Sequence, residues 1–410
     1  LWDWWNDFSN KLIAEGPDSV LAKVLEFRRI GFVPDFYRSS ANNQDIRENY
    51  YAGYLMSRID FGNLIMFLPG VRYERVTDDM VGNFVYDISQ VYSLLFPRAY
   101  QKALHKDEFF LPMISLRLKP SNWMSFILSY TKTLGRPSFI DIVPNTFVNN
   151  GVPPYVYRAG NPDLKPEQWT SYDLQVAFYN NEIGLFSIDG FYKEVNDKIW
   201  ERTYTRIKGD PVIPGFKDIS QVIVTEAENH KYPVYLKGLE LEWQTNFWYL
   251  PAPLSYFSLN FNYTIINSET KYPTMRMYTT YQNDSLGRPV PTLHRVDSVV
   301  TGRMLYQPSN IANISLGFNY KGLNIWLSYQ FNGSTMTSWS NQPEMIGLQN
   351  SFQLWDLQIA QALPIEGLSL QFNLANISNE EQDSKLQGDP RLTYAERFGW
   401  TGGLGIRYSF

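Results

Sequence analysis

The sequence predicts an all-β fold, a transmembrane antiparallel β-barrel, and three observations point there. The first is alternation. In 255–265, Phe257, Leu259, Phe261, Tyr263 and Ile265 fall on one face, and Ser258, Asn260, Asn262 and Thr264 on the other. A period of two marks a strand with two unlike faces. A face of Asn, Gln and Ser opposite one of Leu and Phe suits a wall between lipid and water. The second is the rhythm of the connections, which alternate between very short and long. All turns then lie at one end of the wall and all loops at the other, as in outer-membrane barrels. The third is aromatic content, 16% of 410 residues, with 28 Tyr, 26 Phe and 12 Trp. Tyr and Trp favour the membrane–water boundary because one end is apolar and the other wet.

Residues 1–46 read as an extracellular loop with a short helix over 19–30, capped by Asp18 and stopped at Gly31. From Arg47 the pattern becomes strand, turn, strand, loop. The first pair, 48–61 and 64–76, joins at Gly62-Asn63; Ile65, Phe67, Val71 and Tyr73 alternate with Met66, Gly70, Arg72 and Glu74. The second, 110–119 and 123–133, joins at Pro120-Ser121-Asn122. The third, 169–179 and 184–200, joins at Asn180-Asn181. The fourth, 233–248 and 255–266, turns around Pro251-Ala252-Pro253. The fifth, 310–320 and 323–333, turns at Lys321-Gly322. The sixth, 351–363 and 367–377, joins at Pro364-Ile365-Glu366, where Leu368, Leu370, Phe372 and Leu374 resume the alternation. A last strand, 398–410, carries Leu404, Ile406, Tyr408 and Phe410. The connections 77–109, 134–168, 201–232, 267–309, 334–350 and 378–397 read as long loops. Some thirteen strands result. An open edge cannot sit in hydrocarbon, where unpaired backbone groups are costly. Residues 47–410 are therefore expected to be the C-terminal part of a larger barrel. A soluble sandwich or propeller tolerates open edges, but rarely has connections so lopsided.

Composition narrows the function. There is no run of about 18 apolar residues for a spanning helix. The opening Leu1-Trp2-Asp3-Trp4-Trp5 lacks the basic segment and apolar core of a signal peptide. Lack of cysteine excludes disulfides and thiolate chemistry. A net charge of −5 argues against nucleic acid as a partner. His105, His230 and His294 are far apart, lie in or beside the expected loops, and share no metal-ligand spacing. No phosphate-binding loop or nucleophile elbow follows a strand. The expectation is no enzyme, no metal and no cofactor.

Several segments resemble the C-terminal barrel of TonB-dependent outer-membrane transporters. Gly160-Asn161-Pro162-Asp163-Leu164-Lys165-Pro166-Glu167, then Tyr172-Asp173-Leu174 and Phe191-Tyr192-Lys193, resembles the family's NP-x-L-KPE … YDLG … FYK block. Gly70-Val71-Arg72-Tyr73-Glu74 resembles its GxRYE strand. Tyr130-Thr131-Lys132-Thr133 with Arg136-Pro137-Ser138-Phe139 resembles its YSxT…RPSF segment. Lys237-Gly238-Leu239-Glu240-Leu241-Glu242, Leu374-Ala375-Asn376-Ile377-Ser378-Asn379 and terminal Phe410 are similar to three further family segments. The resemblance implies the last 13 strands or so of a 22-stranded plugged barrel, with the plug, TonB box and first strands outside this chain. It implies active import of a scarce large solute, such as a siderophore, cobalamin, glycan or peptide. It also implies outer-membrane lipid and the inner-membrane TonB complex, reached through the plug, as partners. A Bacteroidota-like importer working with a surface-exposed lipoprotein is one form of this reading. A non-transporting surface barrel for adhesion or assembly, and a passive porin, are the alternatives.

Two sets of site candidates follow. Alternation turns Arg72, Glu74, Arg117, Asp173, Glu240, Glu242 and Arg407 toward the lumen. They either meet a plug or solute, or pair with their neighbours in a wet wall. Trp2, Trp4, Trp5, Tyr278, Tyr281 and Trp339 are the ligand-binding candidates of the outer loops; such rings bind flat or sugar-like ligands, or pack the loops themselves. The acidic run Glu380, Glu381 and Asp383 lacks the regular spacing of a calcium loop.

Overall fold

The computed structural model describes residues 43–86, 99–149, 153, 155–206, 213, 222–340 and 343–409. The expected helix over 19–30, the Trp2, Trp4 and Trp5 cluster and Phe410 lie outside them. Strands β1 (Asp45–Met56) and β2 (Ile59–Phe61) descend to the turn at Gly62, and β3 (Ile65–Tyr86) rises from it. Strand β4 (Ala99–Ser121) descends and β5 (Met124–Gly135) rises. A one-turn helix, α1 (Phe139–Ile142), and the hairpin β6 (Thr146–Asn149) and β7 (Tyr155–Ala159) follow. Then β8 (Glu167–Asn180) descends, β9 (Gly184–Asn196) and β10 (Ile199–Arg206) rise, and β11 (Val222–Asn229) and β12 (Val234–Asn246) descend. The longest strand, β13 (Phe257–Asn283), rises, and β14 (Pro289–Gly302) and β15 (Asn310–Tyr320) return. Strands β16 (Leu323–Asn332) and β17 (Thr335–Ser338) rise, and β18 (Gly347–Gln349) and β19 (Phe352–Ala362) descend. Finally β20 (Leu368–Ala375) and β21 (Glu381–Leu386) rise, and β22 (Asp389–Arg397) and β23 (Thr401–Tyr408) descend.

The wall is an antiparallel ladder in the order β1/β2, β3, β4, β5, β8, β9, β12, β13, β15, β16, β19, β20, β23, thirteen strands among the described residues. It is not closed: β1 and β23 do not pair with each other. Register explains its two faces. Phe257, Phe318, Ile325, Ile359, Phe372 and Leu404 form one continuous cross-strand row, and Leu259, Leu316, Leu327, Leu357 and Leu374 the next. The opposite face carries Gln244, Asn260, Ser315, Ser328 and Asp356 in register. A shift of one residue would turn every such row over, so the apolar rows fix the pairing. Turn chemistry agrees with it. Lys321 and Gly322 have φ of 47° and 79°, the two positive values that a two-residue hairpin matched to strand twist demands.

The long connections differ from the expectation. Their described residues are mostly strands that keep pairing beyond the membrane. Strands β3 and β4 stay in register from Ile65↔Leu118 to Phe84↔Ala99, against about 9–11 residues needed to span a bilayer. Strands β13 and β14 pair from Thr270↔Gly302 to Asn283↔Pro289, and β17, β18, β21 and β22 form a separate four-stranded sheet. One face of these extensions is buried, but it mixes Asp78, Ser268 and Thr270 with Met80 and Tyr272, so their sequences lack the clean apolar–polar alternation of a lipid-facing strand.

One connection turns inward. The β6–β7 hairpin pairs in parallel with β3 on one side and β11 on the other, bridging elements separated by four wall strands. Two of the four buried clusters among the described residues lie here, the others at Val195, Val234 and Leu236 and at Tyr272, Met336 and Ile346. Met80, Ile142, Val143, Leu164 and Ala227 form one cluster, and Val148, Val222 and Val224 a second. The described residues of segment 136–166 thus pack against the polar, concave side of the wall, above the membrane.

Candidate functional site

The concave face is the candidate site, and it has two levels. In the membrane-spanning part its polar side chains satisfy one another. Asn262 Nδ2 donates to Glu240 Oε1 at 2.6 Å and Gln244 Nε2 to Glu242 Oε1 at 2.6 Å. The hydroxyls of Ser315 and Ser328 lie 3.0 Å apart, those of Ser115 and Ser129 3.3 Å. Near the turn end this face opens a pocket of about 860 Å³, lined by Gln244, Asn246, Ser258, Asn260, Asn324 and Trp326. Its neutral amides and hydroxyls offer hydrogen bonds without a strong field.

The sequence-derived lumen candidates divide in two. Arg72 and Glu74 join a hub: Arg72 Nε donates to Glu74 Oε1 at 2.6 Å and its Nη2 to Tyr50 Oη at 2.8 Å. Arg136 Nη2 donates to Glu74 Oε2 at 2.6 Å and lies over the Tyr50 ring at 5.3 Å. Glu240 and Glu242 belong to the amide network above. Arg117, Asp173 and Arg407 make no ion pair with a described residue; Asp173 sits in register with Ser129, and Arg407 with Ser369.

Above the membrane the vestibule is held by charge and rings. His105 Nδ1 donates to the Pro162 carbonyl at 2.9 Å and Nε2 to Asp107 Oδ2 at 2.6 Å. With acceptors on both nitrogens the ring favours its protonated form, and the Asp107 hydrogen bond raises its pKa. Glu167, at the head of β8, receives Lys198 Nζ at 2.6 Å, Ile199 N at 3.1 Å and Trp169 Nε1 at 3.0 Å. Further round, Trp200, His230, Tyr272 and Trp339 form an aromatic box. Tyr272 and Trp339 stack at 4.3 Å and 13°, and Trp200 lies 5.0 Å from His230. His230 Nδ1 accepts from Tyr232 N at 3.1 Å, so a neutral ring carries its proton on Nε2. Burial lowers the His230 pKa and pushes the Tyr272 hydroxyl up to about 12, where it donates to Arg303 O at 2.7 Å.

Two expectations need correction. His105 and His294 are strand residues of β4 and β14, and His105 and His230 are buried rather than polar loop residues. Their surroundings differ: His105 is held by Asp107 and the Pro162 carbonyl, His294 Nε2 lies 2.7 Å from Thr280 Oγ1, and the buried Nε2 of His230 has no hydrogen-bond partner among the described residues. Tyr278 and Tyr281 likewise lie on β13, not in a loop; Tyr278 stacks on His294 at 5.0 Å. Trp339 is engaged in the box. Glu381 is paired with Arg397, and no group of three or more metal-binding side chains occurs among the described residues.

The family model described as TonB dependent receptor-like, beta-barrel, matches residues 2–377. The chain belongs to the TonB-dependent receptors. It is therefore an outer-membrane β-barrel protein, with the short turns in the periplasm and the extensions outside. Solved structures of similar fold include the ferric-catecholate import receptor Fiu of E. coli K12, at 9% identity and a TM-score of 0.57 over 90% of this chain and 45% of that one. A Pseudomonas aeruginosa ferric enterobactin receptor mutant in complex with enterobactin shares 14% identity and a TM-score of 0.56, over 90% of this chain and 55% of that one. The Serratia marcescens hemophore receptor HasR, in complex with its hemophore HasA and heme, shares 13% identity and a TM-score of 0.57, over 88% and 51%. The chain spans about half the length of these receptors. No curated protein sequence matches it.

The receptor's motif segments converge in space. Arg136, from the RPSF-like segment, grips Glu74 from the GxRYE-like strand. Glycine is required at Gly160 because a methyl group there would meet Val143 O at 1.8 Å; Gly160 N itself donates to Asn145 O at 2.9 Å. Asn229 clasps Lys165 through both its backbone N–H and C=O, each at 2.8 Å. The motif block is thus a staple that draws the described residues of segment 136–166, β4, β8, β10 and β11 together at the outer mouth.

Proposed function

We propose that this receptor segment forms the wall and outer vestibule of an active importer for a scarce, large solute. The observation that supports this most is the inward-folded segment 136–166. It stands between the extended hairpins outside and a polar lumen wall of Asn, Gln and Ser with interspersed charges beneath. Capture would occur among the outer strands, and the wall would guide the solute once a plug moves. TonB would drive that movement through the plug, and no bond of the solute is made or broken. Solved relatives named for ferric catecholate, enterobactin and heme favour an iron carrier among the candidates. The β13–β14 ribbon exposes Tyr281, Val296, Val299 and Val300. That surface supports a protein partner outside the cell, and a surface lipoprotein is the one we favour.

The test is uptake of radiolabelled iron chelates by cells with and without TonB. Import that vanishes without TonB, and on removal of this receptor, supports the proposal. Equal uptake in both strains would instead mark a passive porin, and no uptake of any solute an adhesion or assembly barrel.

A further inference from the structure

The lipid-facing side of the wall contains a gap. Tyr130, Tyr172, Tyr192, Lys237 and Asn267 form one outward row across five strands. The row beneath it runs Leu128, Leu174, Gly190, Leu239 and Ile265. Gly190 alone in that lower row has no side chain, and a methyl group there would touch only Leu239 Cδ2, at 3.5 Å. The result is a groove of about 470 Å³, lined by Leu128, Leu174, Leu239 and Ile265, with Tyr172 and Tyr192 at its outer rim. Lys237 closes the rim.

Height identifies what reaches this groove. Lys237 stands nine positions above Asn246, the periplasmic end of β12. At roughly 3.3 Å per residue and a tilt near 45°, that is about 21 Å. The apolar band of such barrels is about 25 Å tall. The groove therefore lies within hydrocarbon and Lys237 near its outer boundary. Unfilled space there would forfeit dispersion contacts on one side, and acyl chains are the molecules at hand to fill it. Lys237 makes no ion pair with a described residue. Its in-register neighbours are Tyr192 and Asn267, and the nearest acids on this face, Glu194 and Glu269, stand one row further out beside Tyr235. Glu194 is engaged with Asn196 Nδ2 at 2.9 Å. An uncommitted ammonium at the boundary, above a waiting groove, complements a phosphate that carries an acyl chain.

We propose that this surface is a binding site for one anionic lipid of the outer leaflet, its acyl chain against Gly190 and its phosphate on Lys237. The full-length receptor, purified in mild detergent, is titrated by native mass spectrometry with phosphatidylglycerol and with phosphatidylcholine of equal chain length. One phosphatidylglycerol should be held about fivefold more tightly, the ratio that one lysine near an anionic surface supplies. Lys237→Gln should abolish the preference and keep the lipid count. Gly190→Leu, filling the groove, should remove the tightly held lipid of either headgroup. Heat-modifiable electrophoretic mobility reports whether each variant remains folded. Equal retention of the two lipids by the natural protein overturns the proposal, as does an unchanged preference in Lys237→Gln. Should Gly190→Leu not fold, the Lys237→Gln result decides.

Discussion

Glu167→Ala should loosen the outer mouth without dissolving the wall. The Glu167 carboxylate is buried, and it collects an ammonium, a backbone N–H and an indole N–H. A hydrogen bond to a charged group contributes about 1.5–3 kcal/mol, and breaking a buried pair costs about 3–5 kcal/mol. Lys198 keeps 26% of its side-chain surface exposed, so water recovers part of its loss and about 3 kcal/mol remains. The damage should stay local, because Ile199 opens β10 and the ladder from β12 to β16 has no contact with Glu167. Hydrogen exchange reads the opening free energy of each segment. Amides of 199–206 and 222–229 should exchange roughly a hundredfold faster, at about 1.4 kcal/mol per decade. Those of β15 and β16 should not change. Glu167→Gln should fall between, since one amide oxygen cannot serve both sides and its NH₂ faces a donor. Protection of β10 within about threefold of the natural protein would refute the staple, and so would an equal loss across β15 and β16.

Other outcomes separate the remaining arguments. The His105 pKa is raised above an unfolded value near 6.5. Its contribution is thus complete below about 6.5 and lost as pH rises through the folded value. Rate-corrected exchange at Asp163, Leu164 and Lys165 should lose protection as pH rises, and His105→Gln should flatten that dependence; protection that grows with pH would contradict it. His230 has the opposite sign. Burial lowers its pKa, so the aromatic box is fully stabilised above about 6.5 and weakens as pH falls below that. Tryptophan fluorescence from Trp200 and Trp339 should follow the change, and His230→Phe should abolish it. Leu316→Arg places a charge in lipid, where the cost is about 2–4 kcal/mol near the midplane, whereas Ser315→Arg places it in the lumen. Urea unfolding from vesicles should separate the two by at least about 2 kcal/mol, and equal destabilisation would mean that the faces are misassigned. Gly160→Ala should prevent segment 136–166 from docking, seen as protease cleavage within it while heat-modifiable mobility persists.

The wall was legible because the membrane enforces a period of two. Leu316 and Ser315 cannot exchange faces without moving a polar group into hydrocarbon, so the order of residues carries the geometry. Turns were legible for a related reason: Lys321-Gly322 must take two positive φ values, which few residue pairs tolerate. The extensions were not. In β13 beyond Thr270 and in β3 beyond Val76 the buried face mixes polar Asp78 with apolar Met80 and Tyr272, so the alternation of residue types fades while the pairing persists. The buried roles of His105 and His230 were hidden for a second reason. Their partners Pro162 and Tyr272 come from other elements, and only the fold brings these pieces together.

The motif segments show how the two kinds of information combine. GxRYE-like and RPSF-like residues meet at Glu74 and Arg136, and the NP-x-L-KPE-like block ends at the buried Glu167. Most of the motif residues that pair in this way stand at or above the outer end of the membrane-spanning part, and their work is to hold segment 136–166 against the wall. That segment is held by a few charge-assisted hydrogen bonds and a small apolar cluster rather than by a continuous ladder. Such a segment opens at lower free energy than the wall it rests on. The rows beneath it, from Gln244 to Ser328, offer amides and hydroxyls interspersed with the carboxylates of Glu240, Glu242 and Asp356. On the proposed reading, the extensions carry the contacts to solute, while the staple and the wall supply the common geometry. This division accounts for a family resemblance carried by motif segments and a fold shared with receptors at 9–14% identity.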